Sequence, residues 1–419
     1  MRLLNVVHQY PPEHAGGTEL YTRSTSLELA RSGHEVSIFY RRDAPGFGLE
    51  HRDDQGVDLW AAWHGVASPT RRFLTTFGDP DLAGAFERVL DTSRPDLVHI
   101  QHLMGLPVQL IGLVRRRRIP LVVTLHDYWW VCSNAQLLTN FGQQLCGGPR
   151  AWLNCGRCAL ARAGFDSLWP GAPALVPFLA IRARMLRDVL LSAGRVIAPT
   201  HFVRDWYAAH GIPSGRLQVL PHGIEPPSTP SPASRPGGIL RIACIGGLSP
   251  SKGVHILVEA IKGLAGRAEL WIAGDESADP SYSRALRARA GDNVRFLGAL
   301  AHQQVWECLG QVDILAVPSL WYETFSLIAH EAFAARVPVV ASKSGALAEV
   351  VRDEIDGLLI PPGDVAAWQS ALLRLINEAG LLDQLRSGVR PPMDLSEHVR
   401  RLAGAYAEVA VRNGGMTIG

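Results

Sequence analysis

Residues 319–351 read SLWYETFSLIAHEAFAARVPVVASKSGALAEVV, and this segment carries the clearest structural and chemical pattern of the chain. An apolar run at residues 312–318 precedes it and ends in a proline, which predicts a buried strand. Apolar residues then recur with the helical period over residues 327–333, so the sequence predicts a helix soon after the strand. Glu323 falls just before this helix and Glu331 falls inside it.

Two glutamates eight residues apart suit an elongated ligand. In a continuous helix this step returns the second carboxylate to within about 80° of the first and moves it about 12 Å along the axis, too far for one metal ion. The helix start offers backbone N–H groups as an anion site between the carboxylates. These amides belong to Thr324, Phe325, Ser326 and Leu327. The layout predicts a nucleotide sugar, with its sugar near Glu323, its diphosphate over the helix start and its ribose on Glu331. The bare spacing also fits an amphipathic helix with a solvated glutamate.

The flanks of the two glutamates resemble the E-x7-E signature of the family-four glycosyltransferases, which are retaining enzymes of GT-B fold. The resemblance continues through residues 331–342 and again through 344–351. It implies an α/β protein with two Rossmann-like, doubly wound domains facing a cleft, a catalytic role for Glu323 and a donor-binding role for Glu331. Ser326 and Arg336 stand where many relatives have glycine, and neither removes a backbone donor.

Composition bounds the class of protein. A chain of 419 residues has room for two or three domains, at roughly 100 to 200 residues each. With 47% hydrophobic and 19% charged residues it is globular. No apolar run reaches the roughly 18 residues that span a bilayer, and the N-terminus enters a strand without the pattern of a signal peptide. The sequence predicts a cytoplasmic protein and leaves open peripheral contact with the inner face of the plasma membrane.

The charge is unevenly distributed. Residues 1–220 hold 23 Arg and no Lys against 18 acidic residues. This excess is too small to argue nucleic-acid binding, but it is compatible with an anionic membrane or a phosphate-bearing acceptor. The arginines at 115–118 either complement a helix C-terminus or form a membrane-facing patch. Residues 160–192 mix apolar side chains with arginines, which fits a helix packed on its own domain or one lying on a membrane.

The N-terminal half alternates strands and helices, which predicts a parallel sheet. Strands are predicted at residues 3–8, 33–40, 96–101 and 121–125. Gly16 and Gly17 lie between the first strand and a helix at residues 18–32, where a glycine backbone can approach a phosphate; a simple turn is the alternative. The family resemblance implies that this glycine loop faces the donor diphosphate across the cleft.

His126 directly follows the strand at residues 121–125, at the edge where open α/β sheets bind ligands. A histidine there can also simply bond a loop carbonyl. The Thr-Leu-His-Asp pattern at residues 124–127 resembles the strand-end histidine of the family. That resemblance implies that His126 contacts the donor sugar near the reaction centre.

A group of cysteines stands out in a stretch without clear periodicity. It consists of Cys132, Cys146, Cys155 and Cys158. A C-x2-C pair with two further thiols upstream predicts a structural zinc site that would staple an insertion lacking a core of its own. Disulfides and unligated buried thiols are the alternatives. Similar cysteine-bearing insertions occur in some bacterial proteins that this chain resembles, without identifying a ligand.

A second glycine turn opens the C-terminal half. The strand at residues 240–245 is followed by Gly246 and Gly247 and then by Lys252 before a helix, a layout typical of phosphate-binding turns. It resembles the Gly-Arg-Leu-x-Pro-x-Lys-Gly motif of the family, which implies that Lys252 contacts the donor diphosphate and assists catalysis. Gly247 takes the place of the motif's arginine within the donor-binding turn, so one phosphate contact is missing or comes from elsewhere.

These observations predict the domain organisation. An acceptor-side domain spans residues 1–224 and carries the cysteine-bearing insertion at about 130–160. A linker with five prolines spans 225–238, a nucleotide-sugar-binding domain spans 239–395, and a helix at 396–412 crosses back to the first domain.

The predicted activity is that of a retaining glycosyltransferase of hexosyltransferase type. It would move a sugar from a nucleotide-sugar donor to a glycan, a lipid-linked molecule or another hydroxyl acceptor, in polysaccharide or glycoconjugate synthesis, with no cofactor required for catalysis. A non-catalytic or phosphorylase-like nucleotide-binding GT-B protein is the alternative, and Gly247 is the only residue that favours it.

Overall fold

The chain folds into two compact units. A computed structural model describes residues 1–66, 68–225 and 238–414, with the side chains of residues 413 and 414 left out, so most of the predicted linker lies outside the described residues. One unit combines Met1–Gly223 with Leu395–Gly419, and the other is Ile224–Asp394. Within these described ranges, no helix combines the length and the apolar character needed to cross a bilayer.

The first unit is built on an eight-stranded sheet. Its strands are β1 (Arg2–Val7), β2 (Glu35–Arg41), β3 (Phe47–Asp54), β4 (Val57–His64), β5 (Leu97–Ile100), β6 (Leu121–Thr124), β7 (Arg195–Ala198) and β8 (Leu217–Val219). Its first helices are α1 (Gly17–Arg31), α2 (Pro69–Thr75), α3 (Pro80–Ser93), α4 (Gln109–Arg116), α5 (Leu153–Arg162), α6 (Val176–Ser192) and α7 (His201–Ala209). A 3-10 segment, Asp166–Leu175, joins α5 to α6. The strand order is β3-β4-β2-β1-β5-β6-β7-β8, and every pair is parallel except β3 with β4.

The antiparallel pair β3 and β4 is a hairpin that interrupts the alternation of strand and helix. Its two turn residues, Gln55 and Gly56, both have left-handed backbone, with φ of 55° and 89°. Two consecutive positive φ angles match the turn whose twist suits a two-residue hairpin. The hairpin therefore extends the sheet beyond β2 without a helical crossover.

The second unit is a six-stranded, fully parallel sheet. Its strands are β9 (Leu240–Ile245), β10 (Ala268–Ala273), β11 (Val294–Gly298), β12 (Ile314–Val317), β13 (Val339–Ser342) and β14 (Gly357–Ile360). Its helices are α8 (Val254–Ala260), α9 (Pro280–Arg289), α10 (His302–Leu309), α11 (Leu327–Ala334), α12 (Leu347–Val350), α13 (Val365–Asn377) and α14 (Leu381–Gly388). The last helix of the chain, α15 (Leu395–Gly414), belongs to the first unit.

The strand order of the second unit, β11-β10-β9-β12-β13-β14, reverses direction between β9 and β12. Open α/β sheets bind ligands at such a switch point, outside the carboxyl ends of the two strands. The buried apolar residues on both faces of the sheet hold these strand ends in place. The loops that follow β9 and β12 are therefore placed side by side, and they are the two loops that carry Lys252 and Glu323. The predicted α/β class with two Rossmann-like, doubly wound units is confirmed.

Candidate functional site

Glu323 lies in the loop between β12 and α11 and is only 4% exposed. Its Oε1 accepts hydrogen bonds from Lys252 Nζ at 2.7 Å, Ser319 Oγ at 2.6 Å and Trp321 Nε1 at 2.9 Å. Among the described residues, none donates to Oε2. Because a carboxylate has acceptor capacity on both oxygens, this arrangement fixes the side chain through Oε1 and leaves Oε2 for a ligand donor.

Lys252 ends the 3-10 turn Pro250–Lys252, which follows β9. The next residue, Gly253, has φ of 69°, and a Cβ there would lie 2.0 Å from the carbonyl oxygen of Pro318. Only glycine allows this close approach of the two loops. The amide of Leu320 donates to Ser251 O at 2.8 Å, which ties the loops together. The lysine is thereby positioned opposite the glutamate by backbone packing.

Gly345 closes over the backbone of Glu323 from the loop between β13 and α12. It has φ of 57°, and a Cβ there would lie 2.7 Å from Glu323 O. The amide of the following residue, Ala346, donates to that same oxygen at 2.8 Å. The glutamate backbone is therefore held by a third loop of the same sheet edge.

The helix that follows Glu323 starts later than the sequence predicted. Helix α11 begins at Leu327, with Ser326 as N-cap in the left-handed region at φ 64° and ψ 79°. Thr324 and Phe325 belong to the preceding loop, because the left-handed serine interrupts the helical path. Both residues also have contacts of their own. The helical amides without an acceptor inside the helix are those of Leu327 and Ile328, and the anion site formed with the amides of residues 324–326 stays a prediction.

Arg336, the second residue that stands where many relatives have glycine, lies at the end of α11. Arg336 has φ of 59°, Val337 N donates to Ala332 O at 2.8 Å, and Arg336 N donates to Phe333 O at 3.0 Å. These bonds form a Schellman motif, whose left-handed residue is usually glycine. A non-glycine residue there costs about 1–2 kcal/mol, and the same holds at Ser326. Both departures therefore occupy positive-φ positions, and the chain keeps the geometry at this cost.

Glu331 lies inside α11, as predicted, with a side chain that is 16% exposed. Its Oε1 is 3.5 Å from Nε2 of His302, the first residue of α10. The hydrogen bond to Glu331 raises the pKa of His302, against the effect of burial. The histidine was not singled out from the sequence, because nothing in the local pattern indicates that the starts of α10 and α11 are neighbours.

His330 supports the loop before α11. Its ring stacks on Phe325 with centroids 3.8 Å apart, and its Nδ1 donates to Ser326 O at 3.0 Å. Burial lowers the pKa of His330 to about 4, so the ring is neutral near pH 7. This contact stabilises the left-handed N-cap that places the first amides of the helix.

In the first unit, His126 follows β6 and donates from Nε2 to Gln101 Oε1 at 2.8 Å. Gln101 Nε2 in turn donates to Asn5 Oδ1 at 3.0 Å and lies 3.1 Å from His99 Nδ1. Burial lowers the pKa of His126 to about 3. The imidazole is therefore a neutral ring, oriented by a buried amide network. Gln101 is a supporting residue that sequence reasoning missed.

Aromatic rings surround His126. The rings of Tyr21 and His222 lie 5.0 and 5.1 Å from it, centroid to centroid. His398 Nδ1 donates to Pro221 O at 2.7 Å, so its Nε2 accepts from Tyr21 OH at 2.9 Å. Burial lowers the pKa of His398 to about 4. These contacts fix the neighbourhood of His126 from helices α1 and α15.

The predicted glycine loop lies at the start of α1, where Gly16 is the N-cap and Gly17 the first helical residue. A Cβ at Gly16 would lie 2.6 Å from Oε2 of Glu19, at the end of that side chain. Glu19 is buried and lies 3.1 Å from His8 Nε2. Burial raises the pKa of Glu19 and lowers that of His8. An acidic side chain therefore lies beside the predicted phosphate contact, which the sequence did not indicate.

Gly247 is exposed in the turn after β9, and a Cβ there would meet no atom within 4 Å. The turn therefore has space for the Cβ of the arginine that the family motif carries at this position. The structure gives no packing reason for the glycine.

The four cysteines of the insertion are free and partly buried. Burial, followed by the other three thiols, raises the pKa of Cys155 to about 12, and burial with Cys132 and Cys146 as further causes raises that of Cys158 to about 11. The thiols are therefore neighbours, and four sulfurs are a donor set that zinc prefers. In the described part of the chain, however, one group alone has three ligand atoms within 4.8 Å of one another, and it is His64, Asp79 and Asp81. The sulfurs do not form a closed coordination sphere here, and zinc stays a prediction.

The family models that match the chain cover most of both units. Residues 15–227 match the model described as Glycosyltransferase Family 4, and residues 240–378 match Glycosyl transferases group 1. The chain therefore belongs to the family-four glycosyltransferases. Its two Rossmann-like units are those of the GT-B fold.

Individual relatives agree with this assignment. The chain is 33% identical to the D-inositol 3-phosphate glycosyltransferase of Corynebacterium efficiens, over 93% of this chain and 88% of that protein. It is 26% identical to the glycogen synthase of Mycobacterium tuberculosis, over 98% and 94% of the two chains. The structure of Anabaena Alr3699/HepE in complex with UDP and glucose has a TM-score of 0.68 at 17% identity, covering 97% of this chain and 99% of that one. At that identity the likeness concerns the fold.

Proposed function

We propose that this glycosyltransferase moves a hexosyl group from a nucleotide-sugar donor to a hydroxyl of a glycan or lipid-linked acceptor, with retention of anomeric configuration. The observation that carries the proposal is the Lys252–Glu323 pair, 2.7 Å apart at the switch point of the second sheet. The related Anabaena protein was crystallised with UDP and glucose, which supports a nucleotide-sugar donor here.

The diphosphate of the donor would bind between Lys252 and the start of α11. The lysine side chain is 35% exposed, and its ammonium has N–H groups beyond the one that contacts Glu323. The amides of Leu327 and Ile328 point out of the helix start, where the helix dipole favours a negative charge. Together they would stabilise the diphosphate as it leaves, so no metal ion is needed for that task.

The sugar would lie against Glu323. Its Oε2 would accept a hydrogen bond from a sugar hydroxyl, while the ionised carboxylate stabilises the positive charge that develops at the anomeric carbon. Glu331 would accept hydrogen bonds from the ribose hydroxyls. For the N-terminal unit, family resemblance is what assigns Gly16, Gly17 and His126 to the donor, and those roles stay predictions.

The proposed step needs no nucleophile from the protein. The bond between the anomeric carbon and the phosphate oxygen breaks, and the bond to the acceptor oxygen forms on the same face of the sugar. The acceptor hydroxyl passes its proton to the departing phosphate oxygen. The charges therefore balance between donor and acceptor, and Lys252 remains a cation throughout.

The proposal is tested by titrating the purified chain with a panel of nucleoside diphosphates and their sugar conjugates in a calorimeter, followed by an assay of sugar release. One nucleotide should bind, and its sugar conjugate should be turned over slowly with water and faster with an acceptor. Binding without any turnover across the donor panel and an acceptor panel would instead favour the non-catalytic alternative.

Gly247 is the observation that favours that alternative, and it can be tested directly. Because a side chain at this position meets open space, Gly247→Arg should fold normally and add one phosphate contact. Nucleotide affinity should then rise by about 0.5–1.5 kcal/mol. If turnover appears only in this variant, the natural chain is a non-catalytic binder.

We also propose that the thiols of Cys132, Cys146, Cys155 and Cys158 hold one structural zinc ion in the insertion. The donor set supports this proposal, as does the effect of Cys132, Cys146 and Cys158 in raising the pKa of Cys155, although burial is the larger cause. The ion would close the coordination sphere by small movements of the insertion and would take no part in the transfer.

A further inference from the structure

A cavity of about 660 Å³ lies within the first unit, beside the cysteine-bearing insertion. Its volume falls in the range of about 300–1,000 Å³ that is typical of small-molecule sites. The apolar part of its wall is formed mainly by Phe73, Leu74, Trp129, Leu160, Phe178 and Leu179. Such a wall suits an apolar chain better than a sugar, whose hydroxyls would need hydrogen-bond partners.

Three arginines also line the cavity, and none of its lining residues is acidic. Arg72 is paired with Asp43 at 2.8 Å, and Arg162 donates to Asn134 Oδ1 at 2.9 Å. The wall therefore carries positive charge without a negative residue of its own. An anionic ligand would complement it.

Arg182 is the most informative of the three. It is 2% exposed, donates one hydrogen bond to Trp129 O at 2.9 Å, and its Nε is buried without a partner. Among the described residues, no carboxylate lies within ion-pair distance of it. Burial lowers the pKa of Arg182 to about 10. A buried charge without a counter-ion destabilises the folded protein, so an anion bound beside Arg182 would be stabilising.

Nearby acids do not supply that anion. Asp127 acts on Arg182 only at a distance, and its carboxylate is already bonded to His102 Nε2 at 3.1 Å and to Trp129 N at 2.8 Å. Two cysteines of the insertion, Cys132 and Cys155, also act on the guanidinium. No described hydrogen bond joins either sulfur to the guanidinium. With zinc bound, their thiolates would offset part of its charge but would leave Nε of Arg182 without a protein partner.

Exposed apolar side chains surround the same region. Leu74 and Phe178, which line the cavity, are 56% and 57% exposed. Phe165, Leu168 and Trp169 are also largely exposed on the segment that joins α5 to α6. Exposed aromatic and aliphatic side chains in a group mark a surface that contacts a partner or a lipid phase.

The cavity wall also contacts His102, which follows β5. The ring of Trp129 lies 5.3 Å from that of His102, and Met104 N donates to His102 Nδ1 at 3.1 Å. Because Nδ1 is an acceptor, His102 Nε2 carries the proton that bonds Asp127. Both nitrogens of His102 are therefore bonded within the protein, whereas Nε of Arg182 is not.

We propose that this cavity binds the apolar chain of an anionic amphiphile of the alkyl- or polyisoprenyl-phosphate class, and that Arg182 recognises its phosphate. The inference rests on the proposed function and deepens it, since it makes the sugar acceptor a lipid-linked molecule. The apolar wall favours the hydrocarbon chain of the ligand, and the buried guanidinium of Arg182 favours its phosphate.

The experiment compares dodecyl phosphate, dodecanol and inorganic phosphate in calorimetric titrations of the full chain, below the micelle concentration. Dodecyl phosphate should bind at least about tenfold more tightly than either of the other two, because only it offers both the chain and the charge. Arg182→Gln should remove the preference for dodecyl phosphate over dodecanol. Arg184→Gln, two residues along α6 and outside the cavity wall, should leave it unchanged.

A second pair of variants keeps the test valid if Arg182→Gln fails to fold. Ala159→Phe fills the cavity and should weaken dodecyl phosphate and dodecanol alike by about tenfold, whereas Ala161→Phe, outside the wall, should not. Three results would overturn the proposal. They are equally tight binding of inorganic phosphate, dodecyl phosphate affinity that is unchanged in Ala159→Phe, and zinc loss in Arg182→Gln without any change in dodecyl phosphate affinity.

Failure of this proposal is distinguishable from failure of the proposed function. Nucleotide titrations and sugar release to water do not depend on the cavity, so they should be the same in Ala159→Phe and in the natural chain. If nucleotide binding and sugar release persist while dodecyl phosphate does not bind, the acceptor is not of this class and the transferase remains.

Discussion

Lys252 Nζ lies 2.7 Å from Glu323 Oε1, although 71 residues separate the two in the sequence. The pair forms because β9 and β12 are neighbours where the strand order reverses, and each strand delivers one of the two loops. Gly253 allows those two loops to approach, and Gly345 allows the loop after β13 to close on the backbone of Glu323, as shown by the close contacts that a Cβ would make at either position. The ion pair thus follows from the topology of the sheet and from two glycines.

Lys252 should be essential for turnover. Lys252→Ala removes the positive charge beside the leaving diphosphate, and kcat/KM should fall by roughly 10²- to 10³-fold, the order expected when one charge-stabilising donor is lost. Lys262→Ala is the matched control, because Lys262 pairs with Glu259 on α8 and its neighbouring turn. A loss of less than about threefold in Lys252→Ala, or an equal loss in the control, would contradict the role of the lysine.

Glu331 should contribute to nucleotide affinity. Glu331→Ala removes the acceptor for the ribose hydroxyls and should weaken binding of the free nucleoside diphosphate by about 1–3 kcal/mol in calorimetry. His302→Ala is the control, because it removes the histidine that contacts Glu331 and leaves the carboxylate in place to bind the ribose. Its effect on nucleotide affinity should be the smaller of the two. Unchanged affinity in Glu331→Ala would rule out the ribose contact.

The insertion should carry one zinc ion per chain. Elemental analysis of the purified protein should find it, and Cys155→Ser with Cys158→Ser should lose it together with some thermal stability. Cys308→Ser is the control, because Cys308 is buried in the second unit and lies outside the insertion. A metal-free natural protein with unchanged stability in chelator would show that the thiols are unligated.

Stability should depend on the charge state of His330. Burial lowers its pKa from an ordinary value of 6.5 to about 4, so the unfolded chain takes up the proton first as the pH falls. The contribution of His330 is complete above about pH 6.5 and is lost towards pH 4, by up to about 1.4 kcal/mol per pH unit. His330→Asn keeps an N–H donor for Ser326 O without titrating, so its urea midpoints should fall less steeply over this range. Parallel profiles for the two proteins would contradict this account.

The sequence was sufficient for the architecture because the parallel strands are nearly continuous apolar runs. The strand predicted at residues 240–245 coincides with β9, Leu240–Ile245. The hairpin of β3 and β4 was missed, because β3 is rich in charged residues and alternates only weakly in burial. Its turn residues, Gln55 and Gly56, gave the available signal.

The candidate site was predictable only where chemistry and motif coincide in one loop. The sequence pattern was enough to name Lys252, Glu323 and Glu331. It did not predict that α11 begins only at Leu327, because a serine rarely adopts the left-handed backbone seen at Ser326. Contacts such as that between Gln101 and His126 join residues 25 apart in the chain and require the packed sheet. Arg182 contradicts the rule that arginines stay at the surface, so its burial could be recognised only in three dimensions.

We propose transfer with retention from a nucleotide-sugar donor, in which Lys252 and the start of α11 stabilise the leaving diphosphate and no metal ion does. The most direct measurement follows the anomeric proton by NMR during turnover of the donor identified by titration, with and without EDTA. We predict a product with the anomeric configuration of the donor, formed at the same rate with the chelator present. An inverted anomeric centre, or activity abolished by EDTA and restored by magnesium or manganese, would contradict the mechanism.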